Sequence, residues 1–445
     1  MVKLRRLKIE RYRNVEPCEL TFGDGLNIVL GPNGGGKTTL LNLVSRVLHG
    51  NLSSTNDPLA VEVDLAFSGG SLSGRLAIGE IPPIPGRIEA LRGVQLILPL
   101  ESKEGALPGR QEVDLTLRLA LNNTEVKIRS TAGGADVVWT SEAGGGSVFL
   151  NREVFELRMS TLFYFLSIGR QLTGDSAANS LSYLMFTHAL NLRFDEGLDM
   201  YRVLVARAED SIPGEQDVRP SWSIEALDDG RGAQVVLHNR GLLAVSVPSA
   251  VRAASRGADE VYLSISSAQI GFLGLIVRLF GFQAGEMRFE VIEKHLQDGH
   301  LTSEFGNLKF WFTRRDGSIL QDHQLSYGQK RLLTFLYYVD ASPSFVIADE
   351  LVNGMHHQWI EECFRAIGDR QSFLTSQNPL LLDYLTFESV EQVKSSFIVC
   401  RTELREGRER MIWRNFTDDE ADMFFSAYRV GIEHVGEILR TRGLW

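Results

Sequence analysis

The sequence predicts an α/β fold, a mixed sheet followed by an antiparallel β-subdomain, and three observations carry that prediction. An apolar run, Leu26–Leu30, enters a glycine-rich loop, Gly31-Pro32-Asn33-Gly34-Gly35-Gly36-Lys37-Thr38, which opens a helix-like run, Thr39–Leu48. A second apolar run, Phe345–Ala348, stops at two carboxylates, Asp349 and Glu350. From Ala60 to Asn151, short apolar stretches are punctuated by Gly69-Gly70, Pro82-Pro83 and Gly144-Gly145-Gly146, as in successive strands.

Taken in order, Lys3–Ile9, Glu19–Phe22 and Leu26–Leu30 read as strands, with a turn at Gly23-Asp24-Gly25. Leu40–Leu48 is the helix after the loop. Val61–Phe67, Leu76–Ile78, Val94–Leu98, Val113–Leu121, Val126–Ser130 and Val137–Trp139 are the strands of the β-rich stretch. Thr161–Arg207 has a helical pattern, 208–260 is mixed with a turn at Asp228-Asp229-Gly230, and 261–300 is expected to be largely helical. Leu308–Thr313 and Ile319 flank a hairpin turn at Asp316-Gly317. Gln329–Val339 reads as helix, Ser372–Thr375 as a strand, and Phe397–Cys400 with Met411–Trp413 as a hairpin around Glu406-Gly407. Asp418–Arg440 closes the pattern as helix. The expected division is 1–165, 166–320 (mainly helical) and 321–445.

Bulk properties narrow the function classes. A chain of 445 residues has room for two or three domains, and 44% hydrophobic with 23% charged residues is ordinary globular composition, not that of a disordered chain. The longest apolar stretch, Ile270–Phe282, is interrupted by Arg278 and is too short to span a bilayer. The basic Met1–Arg13 lacks the apolar core of a secretory leader, so a cytoplasmic location without membrane contact is expected. Cys18, Cys363 and Cys400 form no C-x-x-C, which excludes a zinc hook or ribbon and argues against a disulfide framework. A net charge of −10 argues against gripping bare duplex as the main task, while leaving contact through a local patch open.

The loop at 31–38 is G-x-x-x-x-G-K-T, in the strand-to-helix context that a phosphate cradle requires. Its glycines let backbone N–H groups close on phosphate oxygens, and the helix N-terminus adds positive potential. Asn33, Gly34, Gly35, Gly36, Lys37, Thr38 and Thr39 are the expected ATP contacts, with Thr38 also a ligand of Mg²⁺. Asp349 is placed to hold Mg²⁺, and Glu350 to polarise the attacking water. Ser326 and Gly328 open a helix whose N-terminus and serine hydroxyl suit a γ-phosphate.

Those residues carry a family resemblance. Leu325-Ser326-Tyr327-Gly328-Gln329 is similar to the L-S-x-G-Q signature of the ATP-binding-cassette superfamily, and Ser326 precedes Asp349 by 23 residues, as in that family. Asp349-Glu350-Leu351-Val352-Asn353-Gly354-Met355-His356 resembles the D-E-x-x-x-G-L-H segment of the RecF/OLD branch of AAA-type ATPases, and Ser372–Tyr384 resembles its T-T-H-S-P-x-L-L-D switch segment. Tyr12-Arg13-Asn14 resembles an F-R-N element whose arginine reaches the nucleotide, and Tyr164–Arg170 resembles a Y-x-P-S-x-R run, nominating Arg170, with Gln171 as runner-up. The resemblance implies an ABC-ATPase (P-loop NTPase) head with an antiparallel β-subdomain and a largely helical second lobe. It implies ATP and Mg²⁺ as cofactors. It also implies a homodimer in which Ser326, Gly328 and Gln329 meet the nucleotide of the opposite protomer. Where the family has a switch histidine, this chain has Gln377, which can donate a hydrogen bond but cannot titrate, so slow turnover is expected.

Other features read as structural. The basic run Lys3, Arg5, Arg6, Lys8, Arg11 and Arg13 suits the outer face of an edge strand, with a phosphate-contacting face as the alternative, and Arg401, Arg405, Arg408, Arg410 and Arg414 are read the same way. His356-His357 suits a helix start better than a metal site, and Glu290–Lys294 is too weak a pattern for a nuclease. The layout resembles the ATPase subunits of bacterial anti-phage modules such as PtuA and AriA. The implied function is an ATP-driven switch that controls a separate effector, a nuclease or toxin. The alternatives are a RecF-like DNA-repair ATPase and, less favoured, a transporter ATPase subunit.

Overall fold

The computed structural model describes residues 3–49, 58–67, 70–80, 111–121, 124–131, 134–142, 144–151, 194, 221–227, 232–238, 261–297, 300–340, 342, 345–376, 379–431 and 434–441. The N-terminal part runs β1 (Lys3–Tyr12), β2 (Cys18–Thr21), β3 (Leu26–Leu30), α1 (Lys37–His49), β4 (Leu59–Phe67), β5 (Gly70–Glu80), β6 (Gln111–Leu121), β7 (Thr124–Thr131), β8 (Gly134–Ser141) and β9 (Gly144–Asn151). The middle contributes β10 (Ser221–Leu227), β11 (Gly232–His238), β12 (Tyr262–Ser266), α2 (Gly271–Phe280), β13 (Ala284–Gln297), β14 (His300–Thr313) and β15 (Ile319–Gln321). The C-terminal part runs α3 (Tyr327–Asp340), β16 (Phe345–Ala348), α4 (His357–Ile367), β17 (Gln371–Thr375), α5 (Val390–Ser396), β18 (Phe397–Arg405), β19 (Arg408–Asn415), α6 (Asp418–Val430) and α7 (Val435–Thr441).

The central sheet has the order β16-β17-β3-β18-β19, parallel except for β19. Both faces are buried at β16, β17, β3 and the first half of β18, so β16, β3 and Phe397–Cys400 read as continuous apolar runs. Alternate residues serve different cores. Val29, Phe345, Ile347, Phe373, Ile398 and Cys400 pack with α1 and the β1/β4 sheet, whereas Ile28, Leu30, Val346, Ala348, Leu374 and Val399 pack with α3 and α4. The second sheet is the antiparallel β-subdomain, β2-β1-β4-β5-β6-β7-β8-β9, and the third joins β10 to β15. The fold is therefore α/β with antiparallel sheets and helices, consistent with a P-loop NTPase.

Three expectations are corrected. Residues 261–300 are not largely helical: the helix is confined to α2, which stops at Gly281 in the left-handed conformation (φ 69°). The flanking β12 and β13 alternate, with Leu263, Ile265, Met287 and Phe289 buried, which is strand periodicity. Within 166–320 the named elements are β10–β15 and α2, and most of 166–260 lies outside the described residues. Gly144–Gly146 does not punctuate strands but begins β9, Gly145 and Gly146 pairing with Thr140 and Trp139. The last helix is split into α6 and α7 by Gly431 (φ 69°), a glycine C-cap. Val94–Leu98, most of Thr161–Arg207 and the Asp228–Gly230 turn lie outside the described residues, although the strands flanking that turn pair in antiparallel register.

Two buried amides hold the central and antiparallel sheets together. Gln371, fully buried at the start of β17, accepts from the Leu4 N–H (2.7 Å) and donates to the Leu4 and Gly23 carbonyls (2.8 and 2.7 Å). Asn27 on β3 accepts from the Gly23 N–H and donates to the carbonyls of Gly23, Gly25 and Ser372. Gln371→Leu keeps the volume but orphans buried backbone groups of β1. It is expected to destabilise the fold by about 2–4 kcal/mol, read as a lower urea midpoint at unchanged slope.

Candidate nucleotide site

The glycine loop leaves β3 and turns into α1 while resting on the β18–β19 hairpin. Gly31 has φ 143°, and a Cβ there would lie 2.0 Å from the Cys400 carbonyl oxygen; at Gly35 it would lie 2.7 Å from the same atom. The Thr402 hydroxyl donates to the Gly34 carbonyl (2.9 Å). Asn33 and Gly34 are exposed and Thr39 is half-buried, so the loop presents its outer rim to solvent. Lys37 is buried, its Nζ donating to the carbonyls of Gly31 (2.7 Å) and Pro32 (3.2 Å), which holds the cation inside the curl of the loop. Burial pushes the Cys400 thiol up, with the Lys37 charge acting in the opposite sense, so this cysteine is a packing residue and not a nucleophile.

The second half of the site is the turn after β16. The Thr38 hydroxyl donates to Asp349 Oδ2 (2.7 Å), joining residues 311 apart in sequence. The Thr375 hydroxyl, on β17, donates to Asp349 Oδ1 and accepts from the Glu350 N–H (3.0 Å). Glu350 is half-buried with φ 53°, a conformation that a non-glycine residue keeps only when its surroundings impose it. A hydroxyl and a carboxylate at this separation form an all-oxygen donor set that fits a hard divalent cation such as Mg²⁺ beside phosphate oxygens.

Arg331, in the second turn of α3, supports that turn from the opposite side. Its guanidinium is buried and donates to the carbonyls of Asp349 (3.3 Å), Glu350 and Leu351 (3.3 Å), and it lies 4.8 Å over the Phe194 ring. Phe194 in turn bridges to β16, its carbonyl accepting from the Asp349 N–H (2.7 Å). At the head of α3, Ser326 and Gln329 form a reciprocal cap: Gln329 Oε1 accepts from the Ser326 N–H (3.0 Å), and the Ser326 hydroxyl accepts from the Gln329 N–H (3.4 Å). Ser326 is exposed, and Gly328 packs so tightly on the turn after β16 that a Cβ would meet the Gly354 carbonyl at 2.4 Å.

The remaining candidates separate. Arg13 (φ 48°) is exposed, and Asn14 donates to the Glu409 carbonyl (3.2 Å), tying this turn to β19, the strand that also backs the glycine loop. Gln377 and Arg170 lie outside the described residues. His356 is the N-cap residue of α4 and His357 its first residue; no cluster of three metal-binding side chains occurs among the described residues. Two residues of the basic run of β1 are ion-paired on the sheet surface: Arg6 with Glu19, Glu62 and Asp64 of neighbouring strands, and Lys8 with Glu62 and with Glu10 of β1 itself, which also pairs with Arg75 of β5. That is the ion-paired outer face of a sheet.

Sequence reasoning gave no role to Thr375 or Arg331, although Thr375 lies in the switch-like segment 372–384 and Arg331 lies just past the signature-like run. Arg331→Lys keeps the charge but loses the planar fork that reaches three carbonyls, and is expected to destabilise the protein by about 1–3 kcal/mol in urea unfolding.

Residues 6–98 match a family model described as "AAA domain", and residues 217–383 match one described as "AAA domain, putative AbiEii toxin, Type IV TA system". The first contains the glycine loop, and the second contains Ser326, Asp349, Glu350 and Thr375. The DNA replication and repair protein RecF of Hydrogenovibrio crunogenus is 36% identical over 58 residues, 13% of this chain and 16% of that protein. RecF of Proteus mirabilis is 45% identical over 47 residues, 11% and 13% respectively. The chain thus spans far less than two thirds of the length of these relatives. Among solved structures, an Smc head bound to the C-winged helix domain of ScpA superposes with a TM-score of 0.39 at 10% identity, covering 94% of this chain and 98% of that one, a likeness too slight to bear on function. Two separate stretches of the chain thus match AAA-domain family models, and the glycine loop and the carboxylate pair that the fold brings together lie one in each.

Proposed function

We propose that this chain is an ATP-hydrolysing molecular switch that dimerises around ATP and controls a separate effector in bacterial anti-phage defence. The observation that carries the ATPase reading is the hydrogen bond from Thr38 to Asp349, which brings a G-x-x-x-x-G-K-T loop and a carboxylate pair into one site. In this reading the N–H groups of Gly34–Thr39 cradle the phosphates, Lys37 leaves the loop carbonyls for the β- and γ-phosphates, and Arg13 and Asn14 flank the nucleotide. Thr38 and Asp349 hold Mg²⁺, which supplies neutralisation of phosphate charge when bound. Glu350 takes a proton from the attacking water as the new water–phosphorus bond forms and the bond to the β-phosphate oxygen breaks. Gln377 donates to the γ-phosphate, and Arg170 contacts nucleotide or couples the lobes.

The dimer reading is supported by the exposure of the Ser326 cap. Its hydroxyl, with Gly328 and Gln329, completes the site of a second copy, and hydrolysis releases the pair. The defence reading is supported by the family description at 217–383, which names a toxin of a toxin–antitoxin system. The rival, a RecF-like repair ATPase acting on DNA ends or gaps, is favoured by the RecF relatives. The pairing of Arg6 and Lys8 with acids on the β1 face weighs against a phosphate-contacting role for those two residues.

Glu350→Gln is expected to bind ATP, hydrolyse it about 100-fold more slowly or worse, and persist as a dimer in light scattering; hydrolysis at the parental rate would remove Glu350 from this role. Gln377→Ala is expected to lower the rate by about tenfold without altering the pH profile, and an unchanged rate would sink that assignment. Stable association of the Glu350→Gln dimer with a nuclease or toxin encoded beside this chain supports the effector reading. Strong stimulation of the purified ATPase by DNA without such a partner decides for repair.

A further inference from the structure

We infer that Thr375 is a positioning residue that sets both carboxylates of the site through a single hydroxyl. The inference rests on the ATPase reading above and goes beyond the residues named in it. Thr375 is the last residue of β17, the strand between β16, which ends in the carboxylates, and β3, which ends in the glycine loop. It is fully buried.

The hydrogen-bond polarity at Thr375 leaves no alternative arrangement. A hydroxyl has one proton to give. The Glu350 N–H is a donor, so at 3.0 Å the Thr375 oxygen must accept from it. The single proton is then directed to Asp349 Oδ1. Asp349 Oδ2 is engaged by the Thr38 hydroxyl at 2.7 Å. The carboxylate plane is thus fixed by one hydroxyl from each flank, one borne by the helix after the loop and one by the neighbouring strand. The backbone of Thr375 repeats the contact, its carbonyl accepting from the Leu351 N–H (3.4 Å). Glu350 sits between these two bonds in the left-handed region, where the backbone holds only under restraint. Thr375 therefore acts on the Asp349 carboxylate through its proton and on the Glu350 backbone, from which the Glu350 carboxylate projects, through its lone pair. A threonine satisfies this, and so does a serine; valine, its near-isostere, satisfies neither bond and leaves the Glu350 N–H without its acceptor.

The test uses full-length Thr375→Val and Thr375→Ser beside the parent, with two readouts. Binding of a fluorescent ATP analogue is measured with Mg²⁺ and with EDTA, and steady-state hydrolysis gives kcat and KM. The expected result is that Thr375→Val binds the analogue in EDTA within about twofold of the parent but loses about tenfold of the Mg²⁺ enhancement, with kcat lowered about 10–100-fold and KM changed less. Thr375→Ser is expected to recover both to within about threefold. Parental Mg²⁺ enhancement and kcat in Thr375→Val overturn the inference. Equal loss of EDTA binding in both variants also overturns it, because a merely structural residue behaves that way. Should Thr375→Val fail to fold, Thr375→Ala is read by the same criteria. Failure of the underlying ATPase reading is distinguishable, since the parent itself would then bind no analogue in either condition.

Discussion

The site depends on the Asp349 carboxylate and the two hydroxyls that hold it. Thr38 reaches it from the start of α1 and Thr375 from the end of β17, so one side chain fixes the relative placement of a helix and two strands. Charge-assisted hydrogen bonds of this kind are short and directional, and burial shields them from competing water. The backbone on the far side is held by Arg331, whose fork spans the carbonyls of residues 349–351. Glu350 is thereby kept in a backbone conformation that costs roughly 1–2 kcal/mol in isolation, and its neighbours supply the restraint.

That local order rests on the way the central sheet is packed. Because its strands feed alternate side chains into separate cores, a change on one face is not absorbed by the other. The glycine loop is held on the face shared by α1 and the antiparallel subdomain, while the signature-like helix α3 packs on the opposite face. The two are joined at the ends of β16 and β17, where Asp349 and Thr375 lie. Gln371 and Asn27 secure the near face by satisfying backbone groups of β1 and the Gly23–Gly25 turn, which would otherwise be buried without partners.

What was legible in the sequence was local. The loop at 31–38 could be read because every residue that shapes it is contiguous, and Phe345–Ala348 because a strand buried on both faces shows as an unbroken apolar run. Thr375 lies within the switch-like segment 372–384, but its contact with the carboxylate pair comes from the strand order β16-β17-β3, which no spacing encodes. Arg331 lies just past the signature-like run, but its contact with the turn after β16 depends on packing that the run does not encode. The misreading of 261–300 has a different origin: the apolar stretch around α2 is dense enough to mask the alternation of Met287 and Phe289 in the next strand. At β9 the glycines were taken as breaks because glycine weakens strands, yet a paired neighbour, β8, suffices to hold them extended.

The position of β3 has a consequence for biosynthesis. It is the middle strand of its sheet, and both of its neighbours, β17 and β18, lie beyond residue 370. A ribosome has therefore made more than four fifths of the chain before the loop strand acquires any partner in that sheet. Pairings of such sequence separation form late and slowly, because the loop-closure entropy precedes the contacts that offset it. The nascent N-terminal part can fold its antiparallel strands early, with Leu26–Leu30 left as an unpaired apolar edge. A truncated chain would thus carry the glycine loop without the carboxylates that complete it, and would expose an aggregation-prone strand in their place.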